Sequence, residues 1–293
     1  MGSCVYSVEE EVKLLPFLEG KFPDMSRTRI KQMLRSEIVI NGRWVSQYDY
    51  QLHPGMEVER VVKSFSSKVE PKGVTIVYED RYLFVVEKRE GLLSSSTDIK
   101  DRTVVSELNG YLERKHEKCR AHVVHRLDRD TSGLMIVSKS KEVSRIFEHN
   151  WRDIVTDRAY VAVVWGSCEK KEDTIVSWLT DGPFCVLSSP VDNGGKKAVT
   201  NYRVVLSNGK FSLLELHLDT GRRNQIRVHM RELQHPVVHD PMYGYENDAA
   251  PIDRLALHAF RLCFVHPITQ KQMDFETSYP SSFLRLVGRE RER

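Results

Sequence analysis

Nothing in this chain of 293 residues is long and apolar enough to cross a bilayer as a helix, which takes about 20 residues. The start, Met1-Gly2-Ser3-Cys4, soon meets Glu9-Glu10-Glu11, a run foreign to a secretory leader. The cysteines (Cys4, Cys119, Cys168, Cys185, Cys263) are odd in number and scattered, which suits reduced thiols and argues against a disulfide framework or a zinc knuckle. These absences point to a cytoplasmic protein. An excess of charge of one sign is missing too: 44 basic minus 41 acidic side chains leaves +3, which alone says nothing about nucleic acid. Internal repeats and low-complexity tracts are lacking. Gly194-Gly195-Lys196-Lys197 lacks the spacing of a phosphate-binding loop and reads as a basic turn. His116, His122, His258 and His266 stand singly and are expected to be structural, and Trp44, Trp151, Trp165 and Trp178 to be packing residues.

What is present is enough for a full core: 40% hydrophobic residues against 29% charged. The length favours one large domain plus a small one. Near the start, Arg27, Lys31 and Arg35 fall at i, i+4 and i+8 of a predicted helix, with Arg29 close by and no acid among them. Ile30, Met33 and Leu34 fall on the opposite side, which should be buried. The stripe is either a solvated face or an RNA-binding one. Ile38-Val39-Ile40, the turn pair Asn41-Gly42 and Arg43-Trp44-Val45 predict a hairpin. Pro16 would break a helix over 12–18 unless it sits in the first turn. Residues 63–73 are polar, aperiodic and end in Pro71 and Gly73, which marks a linker between units 1–62 and 74–293.

Beyond that linker β-branched and aromatic runs dominate: 74–78, 83–86, 135–137, 160–164 and 213–218. Helical patterns fall near 103–118, 140–150 and 224–233. With no β-α-β alternation, the expected class is α+β on a mostly antiparallel mixed sheet with flanking helices, preceded by a small helix-hairpin unit.

Two polar constellations stand out. His125-Arg126-Leu127-Asp128-Arg129-Asp130-Thr131-Ser132-Gly133-Leu134 directly precedes an apolar strand, where a rigid sheet holds a loop for function; a structural ion-pair turn is the equal alternative. Thr220-Gly221-Arg222-Arg223-Asn224-Gln225-Ile226-Arg227 runs from a strand into a helix, a place where guanidinium and helix N–H groups meet phosphates. Because Ile226 and Val228 flank Arg227, at least one guanidinium should point inward, where it needs a carboxylate partner.

These stretches resemble the RluA-type pseudouridine synthases, over essentially all of residues 74–280. The most specific match is the signature His-Arg-Leu-Asp-x-x-Thr-Ser-Gly-Leu at 125–134. Further matches are Tyr78-Glu79-Asp80, Lys88, Tyr160, Lys197-Ala198, Thr220-Gly221-Arg222, Gln225-Ile226-Arg227-Val228-His229, Asp240-Pro241 and Leu257-His258-Ala259. Residues 8–60 resemble the alpha-L RNA-binding fold of a ribosomal small-subunit protein, a frequent partner of that catalytic domain. The resemblance implies an RNA-modifying isomerase, acting on rRNA or tRNA as a monomer, with no metal, organic cofactor or membrane. It assigns Asp128 as the catalytic aspartate, Arg227 as its ion-pair partner, and Tyr160 as the tyrosine that stacks on the base. Arg126 would fill the gap left by the flipped uridine. His125, Arg222, Gln225, Arg27, Arg29, Lys31 and Arg35 are further expected substrate contacts.

The sequence departs from the family pattern where Ser36 replaces a helix-ending Gly, Asn224 a His, Arg158 a Lys and His239 a Gly, and where Arg89-Glu90 interrupts a Lys-Pro-x-Gly. A non-catalytic RNA-binding or ribosome-assembly factor on the same fold is the rival from another class. A metal hydrolase using Asp128 and Asp130 lacks further ligands at suitable spacing.

Overall fold

The computed structural model describes residues 2–288 apart from 24, 26, 35, 36, 63–69 and 99. Arg35 and Ser36, and most of the expected linker, therefore lie outside the described residues, as does the side chain of Arg29. The fold is mixed α+β: a large, mostly antiparallel sheet with few helices, as the run of β-branched segments predicts.

One antiparallel path runs through the strands Gln272–Glu276, Leu257–Val265, Val155–Trp165, Phe211–Leu218, Lys196–Ser207, Glu172–Asp181 and Val186–Ser189. A second arm, Val74–Glu79, Leu83–Lys88 and Ser132–Ser138, joins it where Ser132 and Gly133 pair in parallel with His258 and Ala259. At that junction Gly133 is required twice over. Its φ is +119°, and a Cβ there would stand 2.2 Å from the Ala259 carbonyl oxygen. Ala259 in turn pairs with Tyr160. The row Gly133–Ala259–Tyr160 thus places the loop before Gly133 beside Tyr160, across three strands distant in sequence.

Local chemistry explains the helices. Thr103 and Ser106 form a reciprocal capping box at the start of helix Val104–Arg114. Val104, Leu108, Tyr111 and Leu112 recur at helical spacing and are buried against the sheet. The helix stops at Arg114, short of the predicted 118, with His116 left-handed (φ +58°) just beyond. Ser140 caps helix Lys141–Ile154, which outruns its predicted end and is broken by the non-helical Asn150 (φ −120°, ψ 26°). Large side chains of the core such as Phe84, Phe147, Phe264 and Phe283 are fully buried, each stabilising the fold by about 1.5–3 kcal/mol.

The first unit has its own core of Leu14, Leu18, Ile30, Met33, Ile38, Leu52 and Val58. Pro16 lies in the first turn of helix Leu14–Lys21, the one place the helix tolerates it. Helix Arg27–Met33 follows, with Ile30, Met33 and Leu34 buried as the pattern requires, and Arg27 and Lys31 exposed. Asn41 and Gly42, both at positive φ, turn Ile38–Ile40 into Arg43–Val45. This hairpin docks on the large sheet: Trp44 stacks on Phe275 at 6.3 Å, Phe275 pairs with Trp44, and Ser46 donates to the Glu276 carbonyl at 2.6 Å.

Candidate active site

A cleft of about 570 Å³ opens beside the Gly133–Ala259–Tyr160 row, and both polar constellations line it. Six arginines border it (Arg126, Arg152, Arg158, Arg222, Arg223 and Arg227) against two acids, Asp128 and Asp219. Its size suits one nucleotide and its charge suits a polyanion.

The Asp128 loop is held from below. Lys88, fully buried, gives its three donors to the carbonyls of Arg89 (3.0 Å), Leu92 (2.8 Å) and Arg129 (2.9 Å). Burial pushes its ammonium pKa down to about 8, opposed by the carboxylates of Asp130, Asp128 and Glu90. Ser94 accepts from the Leu127 N–H at 3.1 Å and donates to the Leu127 carbonyl at 2.7 Å. On the far side Arg254 donates to Ser132 Oγ at 2.6 Å, which leaves the Ser132 hydroxyl to donate to His258 Nδ1 at 2.6 Å. His258 Nε2 meets Thr277 Oγ1 at 3.0 Å, and burial pushes this imidazole down to about pKa 3, so it is neutral and structural, as expected.

Asp128 itself takes no hydrogen bond or ion pair on its carboxylate from any described residue. Desolvation raises its pKa, opposed in order by Arg227, Arg126 and Lys88. Tyr160, 7% exposed, sits at a bulge where the register against Leu257–Val265 shifts between Ala159 and Tyr160. Such a bulge re-aims a side chain. Burial raises the Tyr160 pKa, with Arg158 opposing, so the phenol is neutral at physiological pH.

The expected Arg227–Asp128 ion pair is corrected by the geometry. Arg227 instead makes a two-pronged contact with Asp240, Nε to Oδ2 and NH2 to Oδ1, both at 2.7 Å. A third donor goes to Asn224 Oδ1 at 3.0 Å, and the guanidinium lies 5.1 Å from the Tyr243 ring centroid. Asp240 Oδ1 is also capped by the N–H groups of Met242 and Tyr243. The inward-pointing arginine and its need for a carboxylate were legible; which carboxylate was not. Arg227 reaches Asp128 only through its field.

Two departures from the family pattern have local reasons. Asn224 (φ 54°) and His239 (φ 57°) occupy left-handed backbone, where Asn and His are among the better-tolerated residues after Gly. Asn224 also orients Arg227.

The other expected contacts divide. Arg126 is exposed on the cleft wall. Arg222 lines it too, with Nε donating to the Lys197 carbonyl at 3.0 Å. Gln225 is no free substrate ligand. Its oxygen accepts from Thr220 Oγ1 (2.8 Å) and the Arg222 N–H (3.0 Å), and its nitrogen donates to the Val199 carbonyl and Thr200 Oγ1, both at 2.9 Å. That fills its capacity and staples the 220–225 loop to the sheet. His125 lines the cleft, but its Nε2 accepts from the Ile136 N–H at 3.0 Å and its ring packs on Trp151 at 5.1 Å. Burial holds its pKa at about 3, so it enters as neutral imidazole. Arg27 and Lys31 lie on the first unit, outside this cleft; Arg27 pairs with Glu19 at 2.9 Å. Among the described residues no group of three or more His, Cys, Asp or Glu side chains is placed to hold a metal ion.

An α+β sheet that presents an unpaired carboxylate in an arginine-lined, nucleotide-sized cleft suits chemistry on a polyanion. The pattern of the RNA pseudouridylate synthases matches residues 82–232, and the chain belongs to that family, whose members are isomerases. It is 33% identical over 288 residues to the ribosomal large subunit pseudouridine synthase D of Escherichia coli O157:H7, covering 92% of this chain and 88% of that one. It is 34% identical over 221 residues to the uncharacterized RNA pseudouridine synthase YjbO of Bacillus subtilis, covering 74% and 77%. Among solved structures, human RNA pseudouridylate synthase domain containing 4 shares the fold with a TM-score of 0.59 at 21% identity, over 73% of this chain and 92% of that one.

Proposed function

We propose that this protein isomerises uridine to pseudouridine in structured RNA, with Asp128 as its catalytic carboxylate and ribosomal RNA as the first substrate class, transfer RNA the second. The observation that carries the reading is the Asp128 carboxylate: secluded, unpaired, and surrounded by cations it does not touch. A structural aspartate would be tied to donors, as Asp240 is. An unpaired carboxylate beside Arg227, Arg126 and Lys88 keeps its lone pairs for a reacting atom. It either attacks the anomeric carbon or removes a sugar proton to give a glycal. In both routes the carbon–nitrogen glycosidic bond breaks, the base turns, ring carbon 5 bonds to the sugar and loses its proton, and the ring nitrogen gains one. No co-reactant is needed. Tyr160, as neutral phenol, offers a flat face to the turning base and an oxygen that can pass the proton.

The likeness to a large-subunit synthase supports rRNA. In this reading residues 74–293 carry the chemistry and residues 1–62 form an alpha-L RNA-binding unit with Arg27, Arg29, Lys31 and Arg35 toward phosphates. In the same reading the protein acts as a monomer, and the free Cys119, Cys168, Cys185 and Cys263 suit a reducing cytoplasm.

The test is incubation of the purified protein with large-subunit rRNA transcripts, reading pseudouridine by mass spectrometry. Product with the natural chain and none with Asp128→Asn supports the proposal. RNA binding without turnover by either protein would leave the ribosome-assembly alternative standing. Comparing pseudouridine maps of cells with and without the gene names the uridine.

A further inference from the structure

The surroundings of Arg158 suit a guanidinium. The residue lies two positions before Tyr160 on the same strand and lines the same cleft. Its guanidinium carbon is 5.3 Å from the Trp151 ring centroid, and Trp151 is backed by His125 at 5.1 Å and Phe147 at 6.4 Å. The non-helical Asn150 kinks the helix just before Trp151 and Arg152, and both line the cleft. Opposite, Gly221 leaves room: a Cβ there would stand 2.8 Å from Arg158 NH1. Among the described residues no carboxylate pairs with Arg158, and its one side-chain hydrogen bond, from NH2 to the Leu218 carbonyl, is long at 3.5 Å. Arg227 beside it is locked by Asp240. Among the described residues Arg158 is therefore a cleft cation without a carboxylate partner, its guanidinium set over the Trp151 ring.

We propose that Arg158, set over the Trp151 ring and given passage by Gly221, is the positioning residue that grips an RNA phosphate next to the target uridine. The inference rests on the RNA-isomerase reading above and deepens it. A guanidinium stacked on an indole keeps its in-plane N–H fork for two phosphate oxygens, whereas an ammonium at the same place is only a point charge. Arg158 and the tryptophan beneath it are then one device. The grip would fix the sugar so that its anomeric carbon faces Asp128, a matter of orientation in which small displacements are costly.

The test measures binding in the Asp128→Asn background, so that turnover does not interfere. The probe is a fluorescein-labelled RNA stem-loop with a uridine-rich loop, titrated across a series of salt concentrations. Arg158→Ala should weaken binding about tenfold and lower the salt slope by about 0.9, the value of one phosphate contact. Arg158→Lys should keep the slope and still bind several-fold more weakly. Gly221→Ala, which retains every charge, should weaken binding by displacing the guanidinium, and adding it to Arg158→Ala should cost little more. Equal affinity and slope for Arg158→Ala and its parent overturn the proposal, and so does full binding by Arg158→Lys. If the parent does not bind RNA at all, it is the RNA-isomerase reading that falls.

Discussion

The arginine at the floor of the cleft and the basic residues of the first unit carry the same charge in opposite settings. The Arg227 side chain is 7% exposed and gripped at two points by a fully buried Asp240, whereas Arg27 is 71% exposed and shares a surface pair with Glu19. Burial turns a charge into geometry: Arg227 cannot move without stranding Asp240, and salt barely screens it. Exposure leaves a charge exchangeable, since a surface ion pair is worth about 0–1 kcal/mol and yields readily to a phosphate. Asp128 is a third case, half-buried where Asp240 is fully buried, and unpaired. The same class of side chain thus serves as girder, as counter-ion for a passing polymer, and as reactant.

Asp128→Asn should produce the largest effect, a loss of activity of about 10³-fold or more, with no loss of stability. Burial raises the folded-state pKa of this carboxyl. Such a group stabilises the fold only while protonated, and that contribution is lost as pH rises through the raised value. At neutral pH the ionised Asp128 therefore costs stability, and Asn removes the cost. A melting temperature equal to or a few degrees above the parent's is expected. The acid limb of kcat/KM should lie above the ordinary aspartate value of about 3.9, and Arg126→Ala should push it higher by removing an opposing cation. A limb that stays put in that variant would separate Arg126 from the Asp128 field.

Asp240→Ala comes next. It leaves Arg227 buried without its counter-charge and should cost about 3–5 kcal/mol, a fall in Tm of roughly 10 °C for a chain of this size. Arg227→Met should cost a similar amount, now by stranding Asp240, and the double substitution should cost less than the two added together. Additive losses, or a parent-like Tm for Asp240→Ala, would break the contrast between locked and exchangeable cations. If Asp128 were the true partner of Arg227, the destabilisation would appear in Asp128→Asn instead.

Much of this was legible along the chain because it is local. The apolar faces of helices Val104–Arg114 and Arg27–Met33, the Asn41-Gly42 turn and the loop running into Ser132–Ser138 follow from neighbouring residues alone. The signature at 125–134 located the cleft. Non-local pairing was not legible. Asp240 lies thirteen positions after Arg227, and nothing in that spacing distinguishes it from Asp128, ninety-nine positions before, as the inward arginine's partner. In the strands Glu172–Asp181 and Lys196–Ser207 burial alternates but residue type does not follow it: Ser177 and Thr200 are buried while Val176 is exposed. Trp151 looked like packing, and it does pack; its second face toward Arg158 depends on a helix break at Asn150 that no Pro or Gly announces.

The smallest expected effect belongs to the first unit. Deleting residues 1–62 would be a blunt test, because it strips Trp44 from Phe275 and Ser46 from the Glu276 carbonyl, baring part of the large sheet. The double substitution Arg27→Ala/Lys31→Ala is cleaner: both side chains are exposed, and neither supports the core beneath Ile30 and Met33. If each meets one phosphate, the salt slope of RNA binding should fall by about 1.8 in total, at about 0.9 per contact. Affinity near physiological salt should drop several-fold and kcat at saturating RNA should hold, since Asp128, Tyr160 and Arg227 are untouched. The Tm should stay within about a degree, because only a surface pair with Glu19 is lost. A fall in Tm like that of Asp240→Ala would mean that the stripe is structural. An unchanged slope would make it a solvated face, and the RNA-binding assignment of the first unit would fall.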